Sequence, residues 1–190
     1  MLNKINNYFC NLKNTIDNLD KNKLEDFIKL LIEAKNNNKT IFLMGNGGSA
    51  CTCSHWACDF NKGISYNQDK KFKLFCLNDN IATMLAYAND ISYEDIFVEQ
   101  LKNFLQEGDI VIGFSGSGNS KNILKAIEYA NSKNAKTIGL TGYNGGKLKE
   151  IASFSLDANF DNMQISEDIH MIIGHLIYNL LADCNIEDEI

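Results

Sequence analysis

The sequence contains no arginine and no proline in 190 residues, and its formal net charge is −6. Without a guanidinium group, any anion that the protein binds must be held by backbone N–H groups, hydroxyls, amides or lysine. No basic block interrupts the acidic balance, which argues against a surface that follows the phosphates of a nucleic acid. No apolar run approaches the ~18 residues of a membrane-spanning helix. We therefore expect neither nucleic acid nor a membrane as a partner.

Cysteine is present, but its spacing does not indicate a structural metal site. Cys51 and Cys53 are separated by one residue, and the six cysteines form no CxxC pair. The N-terminal residues carry no apolar signal core, so we expect the protein to be cytoplasmic, where thiols stay reduced. The cysteines are therefore predicted to be free and mostly buried.

Short apolar segments alternate with segments of helical periodicity along the chain. Strands are predicted at 41–45, 72–77, 109–115, 136–142 and 154–158. Helices are predicted at 2–19, 22–36, 50–61, 80–88, 93–106, 119–132, 147–152 and 164–184. This alternation is typical of a parallel sheet covered by helices on both faces. We therefore predict one α/β domain over 1–190, with a five-stranded, mainly parallel sheet in three αβα layers. Residues 1–36 form an N-terminal helical hairpin, and 37–190 form the core and the last helix.

Two of the predicted strands end in loops rich in glycine and serine. The first loop, GNGGS, covers 45–49, and the second, SGSGNS, covers 115–120. In open α/β sheets, ligands lie beyond the carboxyl ends of the strands, and the first N–H groups of the helices that follow attract anions. Ser115, Ser117 and Ser120 add three hydroxyls. A tight turn with capping serines explains either loop alone, but the two loops together favour a phosphate site built without arginine.

Neither loop carries a nucleotide-binding motif. No GKS or GKT follows, as a Walker A loop requires, and Ala50 stands where a GxGxxG motif needs its third glycine. No acidic ribose-binding residue is evident either. A small phosphorylated metabolite is therefore a better candidate ligand than a nucleotide.

The chain has only three histidines. His55 and Asp59 are four residues apart on the helix after the first loop, so they share one of its faces. His170 and His175 lie on the last predicted helix, where five residues of separation place them about 140° apart. The apolar neighbours of His175 are more typical of a packed core histidine than of a catalyst. The residues alone therefore give only a weak indication of catalysis.

Five segments spread over nearly the whole chain occur in the order found in one known family. They are GNGGSACTCSHWACDF, LAYANDISYEDIFVEQL, GFSGSGNSKNILKAIEYA, GLTGYNGGKLKEIA and EDIHMIIGHLI. The glycine-serine loops are common to many sugar isomerase (SIS) domains, whereas the block around AND and the final histidine motif are narrower. The sequence thus resembles the phosphoheptose isomerases, or sedoheptulose 7-phosphate isomerases. The resemblance implies an aldose–ketose isomerase that makes D-glycero-D-manno-heptose 7-phosphate, the first step towards nucleotide-activated heptose for lipopolysaccharide or capsule.

The resemblance also implies a role for each matching position. Asp59 and His175 fall on the catalytic acid/base pair, which moves protons through an enediol(ate). The implied substrate-binding residues are Asn46, Gly47, Gly48, Ser49, Asn89, Asp90, Ser115, Gly116, Ser117, Ser120 and Glu167. The implied metal ligands, for zinc, are His55, Asp59, Glu167 and His175. The expected assembly is a homotetramer with active sites at subunit interfaces.

The sequence departs from the family pattern at three positions. Asp59 replaces a glutamate and is one methylene shorter, Glu167 replaces a glutamine, and Gln164 stands where an aspartate is common. Two alternatives therefore stay open: a SIS protein that binds a sugar phosphate or regulates replication without turnover, and an isomerase of another ketose phosphate or an amino sugar. The second alternative would be expected to show a different motif on the final helix. Turnover of sedoheptulose 7-phosphate tests the first.

Overall fold

The computed structural model describes residues 1–182. Its α-helices are α1 (Leu2–Asp17), α2 (Lys21–Asn36), α3 (Gly48–Cys58), α4 (Ile81–Asp90), α5 (Val98–Phe104), α6 (Lys121–Ser132), α7 (Gly146–Ile151) and α8 (Met163–Ala182). Its strands are β1 (Ile41–Gly45), β2 (Leu74–Cys76), β3 (Ile110–Ser115), β4 (Lys136–Thr141) and β5 (Phe154–Asp157). A π-helical segment (Asp59–Ile64) continues α3, and a 3₁₀ turn (Tyr93–Asp95) precedes α5. Cys184 and positions 183–184 of the predicted last helix lie outside the described residues.

The N-terminal helical hairpin begins its second helix at a capped turn. The Asp20 carboxylate accepts hydrogen bonds from the N–H groups of Asn22 and Lys23 at 3.1 and 3.0 Å. Aspartate is favoured at this position because it satisfies N–H groups that have no acceptor inside the helix. Leu24, Phe27, Ile28 and Leu31 of α2 are buried, as their helical spacing predicts.

The sheet has the strand order β2-β1-β3-β4-β5. The predicted five-stranded α/β sheet is confirmed, and every strand pair within residues 1–182 is parallel, where the prediction was mainly parallel. From β1 the chain passes first to β2 and later to β3 on the opposite side, so the winding direction changes between β1 and β3. Their carboxyl ends lie side by side, with Gly45 in register with Phe114. Ligand sites of open α/β sheets form at such a point.

Both faces of the sheet are covered, which explains the continuously apolar strands. Leu43 and Phe114 pack on one face with buried residues of α2, α3 and α8. Phe42 and Met44 point to the other face and pack with buried residues of α5 and α6. Since successive residues of one strand enter different hydrophobic cores, no polar position is left inside β1.

The cysteines of the described chain are free, but they are not mostly buried. Cys53 and Cys76 lie in the core, whereas Cys10, Cys51 and Cys58 are exposed on α1 and α3. The burial part of the prediction was wrong because it rested on the usual preference of the residue type, while the helix face decides exposure at each position.

Helix α8 is the longest described helix, with 20 residues. Ile165, Ile169, Ile173 and Ile177 recur at every fourth position and are buried, so one face of α8 covers the sheet. Neither α8 nor any other helix within the described part of the chain has the length and apolar character needed to cross a membrane.

The packed histidine of α8 is His170 and not His175, which the apolar neighbours had suggested. His170 is 1% exposed, and its Nε2 lies 3.2 Å from the carbonyl oxygen of Thr141. Its ring meets Phe114 edge to face. Burial lowers the pKa of His170 to about 4, and Nδ1 has no hydrogen-bond partner among residues 1–182. His170 is therefore neutral at pH 7.

We expect His170 to make the free energy of unfolding increase with pH between about 4 and 6.5. In this range the unfolded chain protonates His170 and the folded chain does not, so the unfolded state binds more protons. The stabilisation is fully present above pH 6.5 and is lost as the pH falls to about 4, with a total of about 3 kcal/mol. Urea unfolding at pH 4.5 and 7 measures the difference.

The variant His170→Gln keeps a polar side chain that does not titrate. The difference in unfolding free energy between the two pH values should shrink by about 2–3 kcal/mol in this variant. An unchanged difference would show that another group causes the pH dependence.

Candidate active site

The two glycine-serine loops line one open cleft of about 260 Å³ at the carboxyl ends of β1 and β3. Its lining consists of Asn46, Gly47, Gly48, Ser49, Phe114, Ser115, Gly116, Ser117, Ser120, Met163 and Glu167. Nine of the eleven predicted substrate-binding residues belong to this lining. Parallel pairing of β1 with β3 therefore brings together residues that lie ~70 positions apart in the sequence.

The first wall of the cleft is the start of α3. Gly47 has a φ of 56°, a conformation that favours glycine, and it lets the chain turn from β1 directly into the helix. A Cβ on Gly48 would lie 2.5 Å from Oε2 of Glu167, so a side chain here would displace that carboxylate from its present position. The backbone of this loop is consequently bare at the cleft.

The second wall is the serine loop between β3 and α6. Oγ of Ser115 lies 3.1 Å from Oγ of Ser120, and Oγ of Ser117 accepts a hydrogen bond from the Asn119 N–H at 3.3 Å. Gly118 has a φ of 67°, and its carbonyl accepts a hydrogen bond from the Leu148 N–H at 2.9 Å, which fixes the loop on α7.

Backbone donors on both walls are available to a ligand. Within residues 1–182, the N–H groups of Gly48, Ser117 and Ser120 donate no hydrogen bond to the protein. Gly48 is the first residue of α3 and Ser120 precedes α6, so two helix N-termini meet at the cleft. Free N–H groups and helix dipoles together favour a bound anion such as phosphate.

Asn46 joins the two walls. Its Nδ2 donates to Oδ1 of Asn122 at 3.0 Å, and its Oδ1 accepts from Nδ2 of Asn122 at 2.8 Å. The Tyr93 hydroxyl donates to the same Asn46 oxygen at 2.8 Å. The Asn46 amide is thus already occupied by the protein, and Asn122 is only 2% exposed. We interpret the pair as a joint that fixes the spacing of the loops; a polar residue on the buried face of α6 was the signal for it in the sequence.

A second group of site residues lies where α3 and α8 approach each other. Nε2 of His55 lies 2.9 Å from Nε2 of His175 and 3.2 Å from Oδ2 of Asp59. A methyl group on Gly174 would overlap the buried indole of Trp56, so the glycine before His175 permits the close approach of the helices. Asp59 is the first residue of the π-helical segment, and such segments are frequent at functional sites.

The same three side chains can hold a divalent metal ion. The ligand atoms of His55, Asp59 and His175 all lie within 4.8 Å of one another. Two imidazoles and one carboxylate are the donor set of a metal centre that keeps a position open for substrate. Glu167, the fourth predicted ligand, is not part of this group, because its carboxylate lies beside Gly48 in the cleft.

Asn89 and Asp90 lie outside the cleft lining. They end α4, where both are exposed, and Nδ2 of Asn89 donates to Oδ1 of Asp90 at 2.7 Å. Helix α4 contains no buried residue, and Ile81 and Leu85 on it are 66% and 65% exposed. Within residues 1–182 of one chain, Asn89 and Asp90 therefore do not reach the cleft that the other predicted substrate-binding residues line.

A family model described as SIS domain matches residues 6–142. The phosphoheptose isomerase of Helicobacter pylori (strain ATCC 700392 / 26695) is 36% identical over 161 residues, which cover 85% of this chain and 81% of the relative. This chain belongs to the phosphoheptose isomerase family. The resemblance inferred from the five sequence segments is confirmed.

Solved phosphoheptose isomerases have the same fold. The enzyme from Francisella tularensis is 26% identical, with a TM-score of 0.87 over 96% of this chain and 97% of the other. Phosphoheptose isomerase GmhA from Neisseria gonorrhoeae, at 22% identity, has a TM-score of 0.86 over 95% and 97% of the two chains. The phosphoheptose isomerase fold therefore includes α1, α2 and α8 as well as the sheet.

We expect the hydrogen bonds between Asn46 and Asn122 to increase the affinity of the cleft for a phosphate monoester. Each single substitution, Asn46→Ala or Asn122→Ala, should weaken binding about five- to tenfold, because it loosens the loops and leaves the other amide unpaired. The double variant should lose little more than either single variant, because the two residues act as one unit. Isothermal titration with the four proteins measures the coupling.

Tyr93→Phe is the matched control, since it removes only the third hydrogen bond of the joint. It should weaken binding less than either asparagine substitution. Additive losses in the double variant would mean that Asn46 and Asn122 act separately.

Proposed function

We propose that this protein is an aldose–ketose isomerase that converts sedoheptulose 7-phosphate to D-glycero-D-manno-heptose 7-phosphate. The observation that carries the proposal is that the lining of the cleft and the contact between His55 and His175 both involve helices α3 and α8. Ser49 and Glu167 lie at the cleft on α3 and α8, while His55 and His175 follow further along these helices. Two curated relatives, 36% and 34% identical to this chain, are named phosphoheptose isomerases.

The spacing fits a long sugar phosphate. Gly48 and His55 are seven residues apart on α3, or about 10 Å along the helix axis, and Glu167 and His175 are eight apart on α8, or about 12 Å. Eight bonds separate carbon 1 from the phosphorus of a heptulose 7-phosphate, about 10 Å in an extended chain with bonds of ~1.5 Å. A ligand held by its phosphate in the cleft can therefore present carbons 1 and 2 to the histidines.

Asp59 and His175 divide the proton transfers of the isomerisation. One group removes a proton from carbon 1, and the electrons form the enediol(ate); a proton is then returned to carbon 2. The oxygens exchange a proton in the same interval, for which a second acid/base group is needed. Imidazole and carboxylate are suited to these roles at neutral pH. The glycine-serine loops hold the phosphate at the other end of the substrate, so the proton transfer becomes effectively intramolecular.

We propose zinc as the ion that His55, Asp59 and His175 hold. When bound, zinc polarises the oxygen from which charge must be withdrawn as the enediol(ate) forms. The three donors are partly exposed, with side-chain exposures of 44% for His55 and 25% for Asp59, so a substrate oxygen can reach the ion. The family resemblance further supports a cytoplasmic enzyme that opens the synthesis of nucleotide-activated heptose for lipopolysaccharide or capsule.

Turnover and stability of His175→Ala test the proposal. Loss of one positioned proton-transfer group should lower kcat about 10²–10⁴-fold, while affinity for the phosphate monoester and the melting temperature stay close to those of the parent. Asn179→Ala, one turn later on the exposed side of α8, is the control and should retain activity. The assay couples sedoheptulose 7-phosphate turnover to product detection, with ribulose 5-phosphate as the shorter comparison substrate.

Zinc content of the same proteins separates the two roles of the cluster. Equal zinc in His175→Ala and the parent, together with lost turnover, would assign His175 to proton transfer and remove it from the proposed zinc ligands. Loss of both zinc and turnover would show that His175 is needed to hold the metal ion. Full activity per folded molecule would remove the isomerase proposal and favour a protein that binds sugar phosphates without turnover.

We propose that the protein is a homotetramer with active sites at subunit interfaces. Leu2 and Phe9 on α1 are 68% and 63% exposed, and Ile81 and Leu85 on α4 are similarly uncovered. A partner subunit would cover these surfaces, shield the histidine cluster and give Asn89 and Asp90 a cleft to reach.

Light scattering at micromolar concentration should give a mass near four times the chain mass of 21.3 kDa. Leu85→Asp should lower that mass, because it places a charge at the centre of the proposed contact. The exposed substitution Asn7→Asp, on the side of α1 opposite Phe9, adds the same charge away from the apolar positions and is the control. A monomeric parent protein would contradict the proposal.

A further inference from the structure

The anion cleft contains a single ionisable side chain, and that side chain is acidic. Glu167 is the only carboxylate or amine among the lining residues of the cleft, and the whole chain lacks arginine. Within residues 1–182, its carboxylate forms no hydrogen bond or ion pair that would neutralise it. An acceptor without a partner in a site for anions requires an explanation.

The carboxylate lies where it affects a bound anion most. Its two oxygens would be 2.5 and 2.8 Å from a Cβ at Gly48, so they lie beside the first residue of α3. Gly48 is the first residue of α3, where the helix dipole has its positive end, and its N–H group donates to no acceptor within residues 1–182. Glu167 therefore shares with the ligand the part of the cleft that attracts negative charge.

We infer that Glu167 is a specificity-determining residue that selects against bare dianions in the cleft. The inference rests on the proposed function of the cleft as a phosphate site. A carboxylate repels an approaching dianion, and repulsion is strong in a partly desolvated cleft. Sulfate has no proton to donate to the carboxylate, whereas the hydroxyls of a sugar phosphate can do so and offset the repulsion. Selectivity then comes from an unfavourable contact with the wrong ligand.

The test compares the parent protein with Glu167→Gln, which keeps the shape of the side chain and removes its charge. Sulfate is titrated into each protein at constant ionic strength, and binding is followed by shifts of the amide signals of Gly48, Ser117 and Ser120 in NMR spectra. Asp168→Asn is the matched control, because Asp168 is the next carboxylate of α8 but accepts a hydrogen bond from Tyr8 at 2.5 Å instead of lining the cleft.

We expect Glu167→Gln to bind sulfate at least about tenfold more tightly than the parent, and Asp168→Asn to bind it as the parent does. The affinity for sedoheptulose 7-phosphate, measured in the same way, should increase by a smaller factor, so that the ratio of the two affinities falls.

Three results would overturn the inference. Equal or weaker sulfate binding by Glu167→Gln would show that the carboxylate does not oppose the anion. An equal gain for sulfate and the sugar phosphate would remove its role in selectivity. Absence of any response to either ligand in all three proteins would refute the phosphate cleft itself, which is the distinct failure of the proposed function.

Discussion

The parallel pairing of β1 with β3 is the interaction on which the candidate site depends. It places the ends of two buried strands side by side, with Gly45 next to Phe114. Each strand then continues into a helix, so two helix N-termini open at the same point of the sheet edge. Burial of both strands on both faces holds this arrangement rigid, and the loops can therefore keep bare N–H groups in position without a ligand.

Three further contacts convert this arrangement into a site for chemistry. Asn46 and Asn122 link the loops through reciprocal hydrogen bonds. Gly174 lets α8 approach the Trp56 side of α3, and the histidines meet at the resulting contact. Residues of the cleft and the two histidines thus lie about two turns apart on the same two helices, α3 and α8. Their separation is set by helix geometry, which side-chain changes elsewhere alter little.

The sequence predicts the layers of the fold well because each strand and helix has its own local pattern. The apolar run of β1 and the serine loop were recognisable from residues within six positions of each other. Contacts between distant side chains were not: Asn46 and Asn122 are 76 positions apart, and His55 and His175 are 120 apart. His175 was misjudged for a related reason, since its neighbours in sequence are apolar while its exposure depends on how α8 packs against α3. Only the family resemblance joined it to Asp59.

The proposed recognition of a phosphate by main-chain groups affects how this protein can change over generations. A grip made of N–H groups is not encoded by any one side chain, so it survives substitutions that keep the backbone conformation of residues such as Gly47 and Gly118. The cluster of His55, Asp59 and His175, by contrast, consists of three side chains, and a single point mutation can remove any one of them. Descendants of such a fold are therefore expected to lose catalysis more readily than ligand binding. We therefore expect that fewer mutations convert this enzyme into a protein that only binds a sugar phosphate than into an enzyme with a different reaction.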